Sequence, residues 1–378
     1  MNQQGESQPA NPETPEDRRI SRRRLLRQAA ATLGAAGVAA GAAWRLHDKT
    51  GKAGLKPPTP ERLKNFFADV DYSAAAPRLS IARGNNKRIE AMVRAAVAGL
   101  DKRLGMKRFV KKGDVVLLKP NVAFDRAPIL GATTNPEVVR AVIRLVREAG
   151  AKEILVADNP IESPETCFAK SKIQQVSLEE GATVMLPAEV HFRSIAVRGP
   201  NPDGTDYRPD PAKGEALGTW PIFWKPLEQA DKVIGIPAIK DHNLCHASMG
   251  MKNWYGLLGG RRNQFHQAID NIVSDLGMMM SPTLMIVDGT RVMMRNGPTG
   301  GRPQDVKEAH TIVASVDQLA SDAWCYQHLL GRDPARLPYL DQAAAKFGRE
   351  PYDVSKRFGQ RDWTVYQNQG KIVETTVG

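Results

Sequence analysis

Between Pro237 and His266 the chain gathers three of its seven histidines, His242, His246 and His266, together with Lys240, Lys252, Arg261, Arg262 and Cys245. These types support three kinds of chemistry. A histidine near neutrality transfers protons. Lysine and arginine neutralise a carboxylate or phosphate. His242 and His246, four apart, share one face if the chain is helical from Asn243, and with Cys245 or His266 they make a candidate metal set. The stretch His242-Asn243-Leu244-Cys245-His246 lacks the glutamate of helical zinc proteases, and Ser248 lacks the glycine spacing of a nucleophile elbow. Neither of those reactions is supported.

Position turns this list into a site. The cluster begins where the apolar run Val233-Ile234-Gly235-Ile236 ends, and other polar groups also follow apolar runs. Lys119-Pro120-Asn121 follows Asp114–Leu118, Asp158-Asn159 follows Glu153–Ala157, Asp288-Gly289 follows Thr283–Val287, and Asp317 follows His310–Val316. The carboxyl ends of parallel strands lie on one edge of a sheet, where α/β proteins bind ligands. The expected catalytic set is His242 or His266 to transfer a proton and Asp158 or Asp288 to orient that base or bind a cation, with Lys119, Asn121, Lys240, Lys252, Asn253 and Arg261 holding an anionic small molecule. A competing reading leaves Lys252 and Arg262 solvated and the histidines satisfying local backbone groups.

The elements that would carry these residues alternate. Leu79–Ala82 reads as a strand and Lys87–Leu104 as a helix with apolar Ile89, Met92, Val93, Ala96 and Val97. Asn135 caps a helix with Pro136 in its first turn and Gly150 at its end, and Ser163-Pro164-Glu165 starts another reaching Glu180. A helix over Asn263–Met280 and one over Asp317–Leu330 follow. The expected fold is α/β, a mostly parallel sheet with helices on both faces, with a loop or hairpin insertion around 190–225. Within the insertion, Asp203-Gly204-Thr205-Asp206 is read as a turn rather than a calcium loop.

Composition fits an ordinary globular protein: 378 residues, 42% hydrophobic and 25% charged, enough for a large core. The formal charge of +12 is dispersed, without the aromatic and basic interleaving of a nucleic-acid surface, so no nucleic-acid partner is expected. No Gly-x-Gly-x-x-Gly or phosphate-loop pattern announces a nucleotide. Cys167, Cys245 and Cys325 form no Cys-x-x-Cys pair, so an iron–sulfur cluster is not expected, while a bound metal ion stays open.

Ser21-Arg22-Arg23-Arg24-Leu25-Leu26-Arg27, followed by the uncharged Ala29–Ala43, resembles a twin-arginine export signal. The run is Ala/Gly-rich and short for a bilayer span, and Ala40-Gly41-Ala42 offers a cleavage site. The resemblance implies the twin-arginine translocase as a partner, export in the folded state, and a periplasmic or envelope location. The expected organisation is a signal over 1–42, a linker over 43–77 containing Lys56-Pro57-Pro58-Thr59-Pro60, and a single α/β domain over 78–378. Without 1–42 the formal charge is +10.

Leu118-Lys119-Pro120-Asn121, Thr134-Asn135-Pro136-Glu137-Val138-Val139, Pro237-x-x-Lys240-x-His242, Lys252-Asn253-x-x-Gly256 with His266 downstream, and Asp288-Gly289 form an ordered set over about 78–330. In this set the chain resembles domain-of-unknown-function family 362. Several members of that family carry a ferredoxin-like cysteine segment, which this chain lacks. The resemblance implies an architecture and a shortlist of residues, without a settled reaction. Two functions stand beside an enzyme or binder of a small anion: a metal- or redox-linked accessory protein exported folded, and a non-catalytic envelope component.

Overall fold

The computed structural model describes residues 62–197, 218–347 and 370–378, all within one compact unit, Pro60–Gly378. The signal, most of the linker and Asp203–Asp206 lie outside the described residues. The described end of the expected linker is packed onto the domain. Phe66 is buried, its N–H donates to the Ser281 carbonyl, and its own carbonyl accepts from the Thr283 hydroxyl.

The chain opens with β1 (Leu79–Arg83) and α1 (Ile89–Leu100), whose apolar side buries Met92, Val93, Ala96 and Val97. Then come β2 (Val115–Pro120), α2 (Pro136–Ala149) and β3 (Glu153–Ala157). Helix α2 has both expected boundaries: Asn135 Oδ1 accepts from Glu137 N–H, and Gly150 closes it at φ 104°, a left-handed geometry suited to glycine. The expected helix to Glu180 is instead two, α3 (Pro164–Lys170) and α4 (Ile173–Glu179), because Lys172 takes a left-handed φ of 62° and interrupts the ladder. Ser163 makes no side-chain cap there.

β4 (Thr183–Met185) precedes the insertion, where β5 (Phe192–Ala196) and β6 (Thr219–Phe223) pair as an antiparallel ribbon. After α5 (Trp224–Gln229), β7 (Lys232–Ile236) runs through Pro237 into β8 (Ala238–His242), which turns back as β9 (His246–Ser248). The short α6 (Gly250–Asn253), α7 (Ile269–Met279), β10 (Leu284–Met293), β11 (Val306–Ser315), α8 (Gln318–His328), α9 (Pro338–Phe347) and β12 (Ile372–Thr376) complete the described elements.

The fold is α/β, with a mostly parallel central sheet. Among the described residues the order is β12-β1-β11-β10-β7-β2-β3-β4, with β8 against β10 and β9. β10, β7, β2, β3 and β4 are mutually parallel, while β11 is antiparallel to both its neighbours. Alternate strand residues feed two cores. Val116, Leu118, Ile234 and Ile286 pack with α1, α2 and the α3–α4 pair; Leu117, Val233, Met285 and Val287 pack with Trp254 and helices α7 to α9.

This topology corrects two placements. β11 runs the other way, so Asp317 falls on the opposite edge of the sheet, where its side chain caps α8 through Ala320 N–H. Asp288 lies inside β10 rather than after it, because β10 continues beside β8 once β7 has ended.

Candidate functional site

At the carboxyl edge of β2, β3 and β7 a small cavity of about 60 Å³ is bordered by Asn121, Asp158, Lys240, His242, Lys252, Asn253, Arg262 and His266. Its floor is a buried ion pair. Lys119, the penultimate residue of β2, places Nζ 2.6 Å from Asp158 Oδ1, and both side chains are almost fully buried. Burial works against both charges, so their survival depends on a closed set of partners. Lys119 Nζ also donates to the Pro120 carbonyl and to Asn253 Oδ1, at 2.9 and 3.2 Å. Asp158 accepts from Val122 N–H at 2.6 Å and from Asn159 N–H at 2.9 Å. Burial lowers the Lys119 ammonium's pKa, and Asp158 opposes that shift.

A second lysine stands beside the first without a carboxylate of its own. Lys240 Nζ donates to Asn121 Oδ1 at 2.9 Å and to the Ala132 carbonyl at 2.7 Å, and lies 5.1 Å from the Phe124 ring centroid. Asn121 is oriented by Asn253 Oδ1, which it reaches at 3.4 Å; Asn253 in turn donates to the Lys119 carbonyl. Burial first, then the Lys252 charge, bring the Lys240 ammonium down to about 7, with Asp158 pulling weakly the other way.

Lys252 and Arg262 add two more cations. Lys252 Nζ sits 5.0 Å from the Tyr255 ring centroid and has no hydrogen-bond or ion-pair partner among the described residues. Arg262 is buried and spends its guanidinium on the carbonyls of Tyr255, Leu258 and Pro160. The site therefore sets four cationic side chains against Asp158, which Lys119 already occupies.

The two histidines take complementary tautomers. His242 Nδ1 accepts from Leu244 N–H at 3.1 Å, so its neutral ring carries the proton on Nε2. His266 Nδ1 faces the Asn263 carbonyl at 2.9 Å, so its neutral ring keeps a lone pair on Nε2. The rings stack with centroids 6.5 Å apart and planes 17° from parallel. Burial, followed by the charges of Lys252 and Lys240, holds His242 down to about 2, so it stays neutral at physiological pH.

Comparison with known proteins agrees with the residue pattern. A family model, Domain of unknown function (DUF362), matches residues 116–327, more than half of the chain. The chain belongs to the DUF362 family. The thylakoid-associated protein sll1697 of Synechocystis sp. is 31% identical over 255 residues, which cover 65% of this chain and 72% of that protein. Among solved structures, the lactate racemase apoprotein of Thermoanaerobacterium thermosaccharolyticum aligns at 13% identity and a TM-score of 0.32, covering 67% of this chain and 57% of that one. The chain thus spans little over half the length of that protein.

Within this DUF362 domain the cavity brings together Asn121, Asp158, Lys240, His242, Lys252, Asn253 and His266, with Lys119 beneath them. It does not include Asp288. That carboxylate is buried under the start of α2, accepting from Asn135 N–H at 2.7 Å and from the Thr290 N–H and hydroxyl. Its role is to hold Asn135, and burial raises its pKa. Arg261 is exposed and outside the cavity, and its neighbour Arg262 turns inward instead.

The helical metal face is also corrected. His242 and His246 oppose each other across the β8–β9 hairpin, and His246 is exposed with a left-handed φ of 62°. The Cys245 thiol donates to the Ala247 carbonyl, and burial pushes it up to about 11. Among the described residues no three His, Cys, Asp or Glu side chains are grouped to hold a metal ion, and all three cysteines are buried and unpaired.

Two positions gain meaning only from the structure. A Cβ on Gly256 would lie 2.0 Å from Asp158 Oδ1 and 2.6 Å from Lys119 Nζ, so any larger residue here would have to displace the ion pair. Asp322, buried on α8, accepts from Gly250 N–H at 2.7 Å and Met251 N–H at 3.0 Å, fixing the turn that presents Lys252 and Asn253. Burial raises its carboxyl to about 7. The available signal was its spacing with Leu319, Ala323 and Tyr326, which puts a carboxylate on the apolar side of a helix.

Proposed function

We propose that this DUF362 protein binds a small anion in the cavity and acts on it by proton transfer. The observation that carries this reading is the charge balance: Lys240, Lys252 and Arg262 border a small, largely enclosed space whose one carboxylate is committed to Lys119. An anion entering it would meet cations that need no rearrangement and little water to screen them. Lys252, free of other polar partners among the described residues, is the principal anion contact. His242 donates through Nε2–H, and His266 accepts at Nε2. Asp158 and Asn253 keep the lysines in place.

Thermal melts with phosphate, oxalate, lactate and pyruvate test the reading. At least one anion should raise the melting temperature in the wild type and fail to do so in Lys252→Ala. If none of them shifts the wild-type melt, the anion site is wrong. Export belongs to the same proposal: Arg22 and Arg23 direct the folded chain to the twin-arginine translocase. Cell fractionation of the Arg22→Lys, Arg23→Lys double variant should find the protein retained in the cytoplasm, and undiminished export would remove that part.

A further inference from the structure

We propose that Lys240 is a nucleophile that forms an imine with the carbonyl of a small 2-oxo acid. The inference rests on the anion-binding reading above and adds the covalent step and substrate class. Two buried lysines, Lys119 and Lys240, stand over one carboxylate, and Asp158 pairs with Lys119. Lys240 is left with neutral acceptors, Asn121 Oδ1 and the Ala132 carbonyl. Two N–H bonds and the bond to Cε fill three tetrahedral positions of Nζ, leaving one for a third proton or a lone pair. An amine buried among cations, with neutral partners and a cavity beside it, has lost what normally keeps it protonated. Its depressed basicity agrees with that geometry.

The surroundings suit the reaction. Lys240 and His242 are two apart on β8 and so share a face, and Ser248 is the direct cross-strand partner of Lys240. All three border the cavity. Lys252 holds the carboxylate of the acid, with the charge of Arg262, itself bound to backbone carbonyls, behind it. The Nζ lone pair attacks the adjacent carbonyl carbon, forming C–N while the carbonyl π pair moves to oxygen, where the His242 Nε2–H donates a hydrogen bond. His266 Nε2 takes one Nζ proton and passes it to this oxygen, giving a carbinolamine. It then takes the second Nζ proton and passes it to the hydroxyl, which leaves as water. One amine and one carbonyl yield one imine and one water, with no change of oxidation state. A cavity of about 60 Å³ suits a compact acid of few heavy atoms.

The test incubates the purified protein with pyruvate and with 2-oxobutyrate, adds cyanoborohydride, and reads intact mass followed by peptide mapping. Hydride and a solvent proton reduce the imine, so the adduct adds the mass of the oxo acid less one oxygen atom. Parallel melts with oxalate, which has no ketone, read anion binding alone. A stoichiometric adduct at Lys240, absent in a folded Lys240→Arg variant and suppressed by oxalate, is the expected result. Stabilisation by oxalate without an adduct would overturn the imine and leave the anion site standing. An adduct at Lys252 or on surface lysines alone would overturn the assignment to Lys240. Neither stabilisation nor adduct would overturn both readings.

Discussion

Replacing Gly256 with alanine should break the site from below. The new methyl would stand 2.0 Å from Asp158 Oδ1 and 2.6 Å from Lys119 Nζ, both far inside contact distance. The backbone there has no left-handed strain, so the loss is steric and electrostatic, offset by what alanine returns in backbone preference. Separating a buried pair costs about 3–5 kcal/mol. Alanine returns about 1 kcal/mol of helical preference, leaving about 2–4 kcal/mol. At about 2 °C per kcal/mol for a domain of this size, the melting temperature should fall by about 4–8 °C. Differential scanning calorimetry reads this directly. In an Asp158→Ala background the obstructing carboxylate is gone, so the same Gly256→Ala change should cost little. Full wild-type stability in Gly256→Ala, or equal losses in both backgrounds, would refute the argument that this glycine exists to let the ion pair close.

Lys119→Met strands Asp158 in the interior and should destabilise by about 3–5 kcal/mol in urea unfolding. By contrast Lys252→Ala should leave stability nearly unchanged while weakening anion affinity about ten- to hundredfold by calorimetric titration, the loss of a charge-assisted contact. His242 titrates lower in the folded chain than in the unfolded one, so the unfolded state binds the extra proton as pH falls below about 6.5 and stability declines there. Melts of a His242→Phe variant should have a flatter acid limb than the wild type; an unchanged limb would contradict this. Asp322 has the opposite sign. Its carboxyl is raised to about 7, so the folded state holds a proton that the unfolded state has released, and stability falls from about pH 4 to about pH 7. Asp322→Asn should remove that slope, and chemical denaturation across the interval would detect its persistence.

What could be read from the chain was what neighbouring residues decide together. β2, β3 and β7 are built around apolar runs, and α2 announces both ends with Asn135 and Gly150. The shared edge of these strands is therefore legible, and Lys119, Asp158 and Lys240 gather there, although β2 runs on to Pro120 and Lys240 lies within β8. Asp288 was misplaced because a carboxylate normally marks the end of a strand, whereas here its charge is met by Asn135 N–H, 153 residues away in sequence. The four-residue spacing of His242 and His246 fits a helical face and a tight hairpin equally well, and only pairing along β8 and β9 decides between them. Arg261 and Arg262 are adjacent, so their opposite fates depend on one turn of backbone. β12 carries no local signal strong enough to show that it lies parallel to β1 at the sheet's edge.

Asp158 serving one lysine and not two has a consequence for engineering. Ser248 faces Lys240 across the β8–β9 ladder, and an aspartate there would supply the missing counter-charge. Such a substitution would stabilise the protonated amine, and with it the folded chain. It would also fill the anion space and remove the lone pair. Selection for thermostability alone would therefore work against the proposed imine chemistry, because the reactivity proposed for Lys240 rests on a stability deficit left uncorrected there.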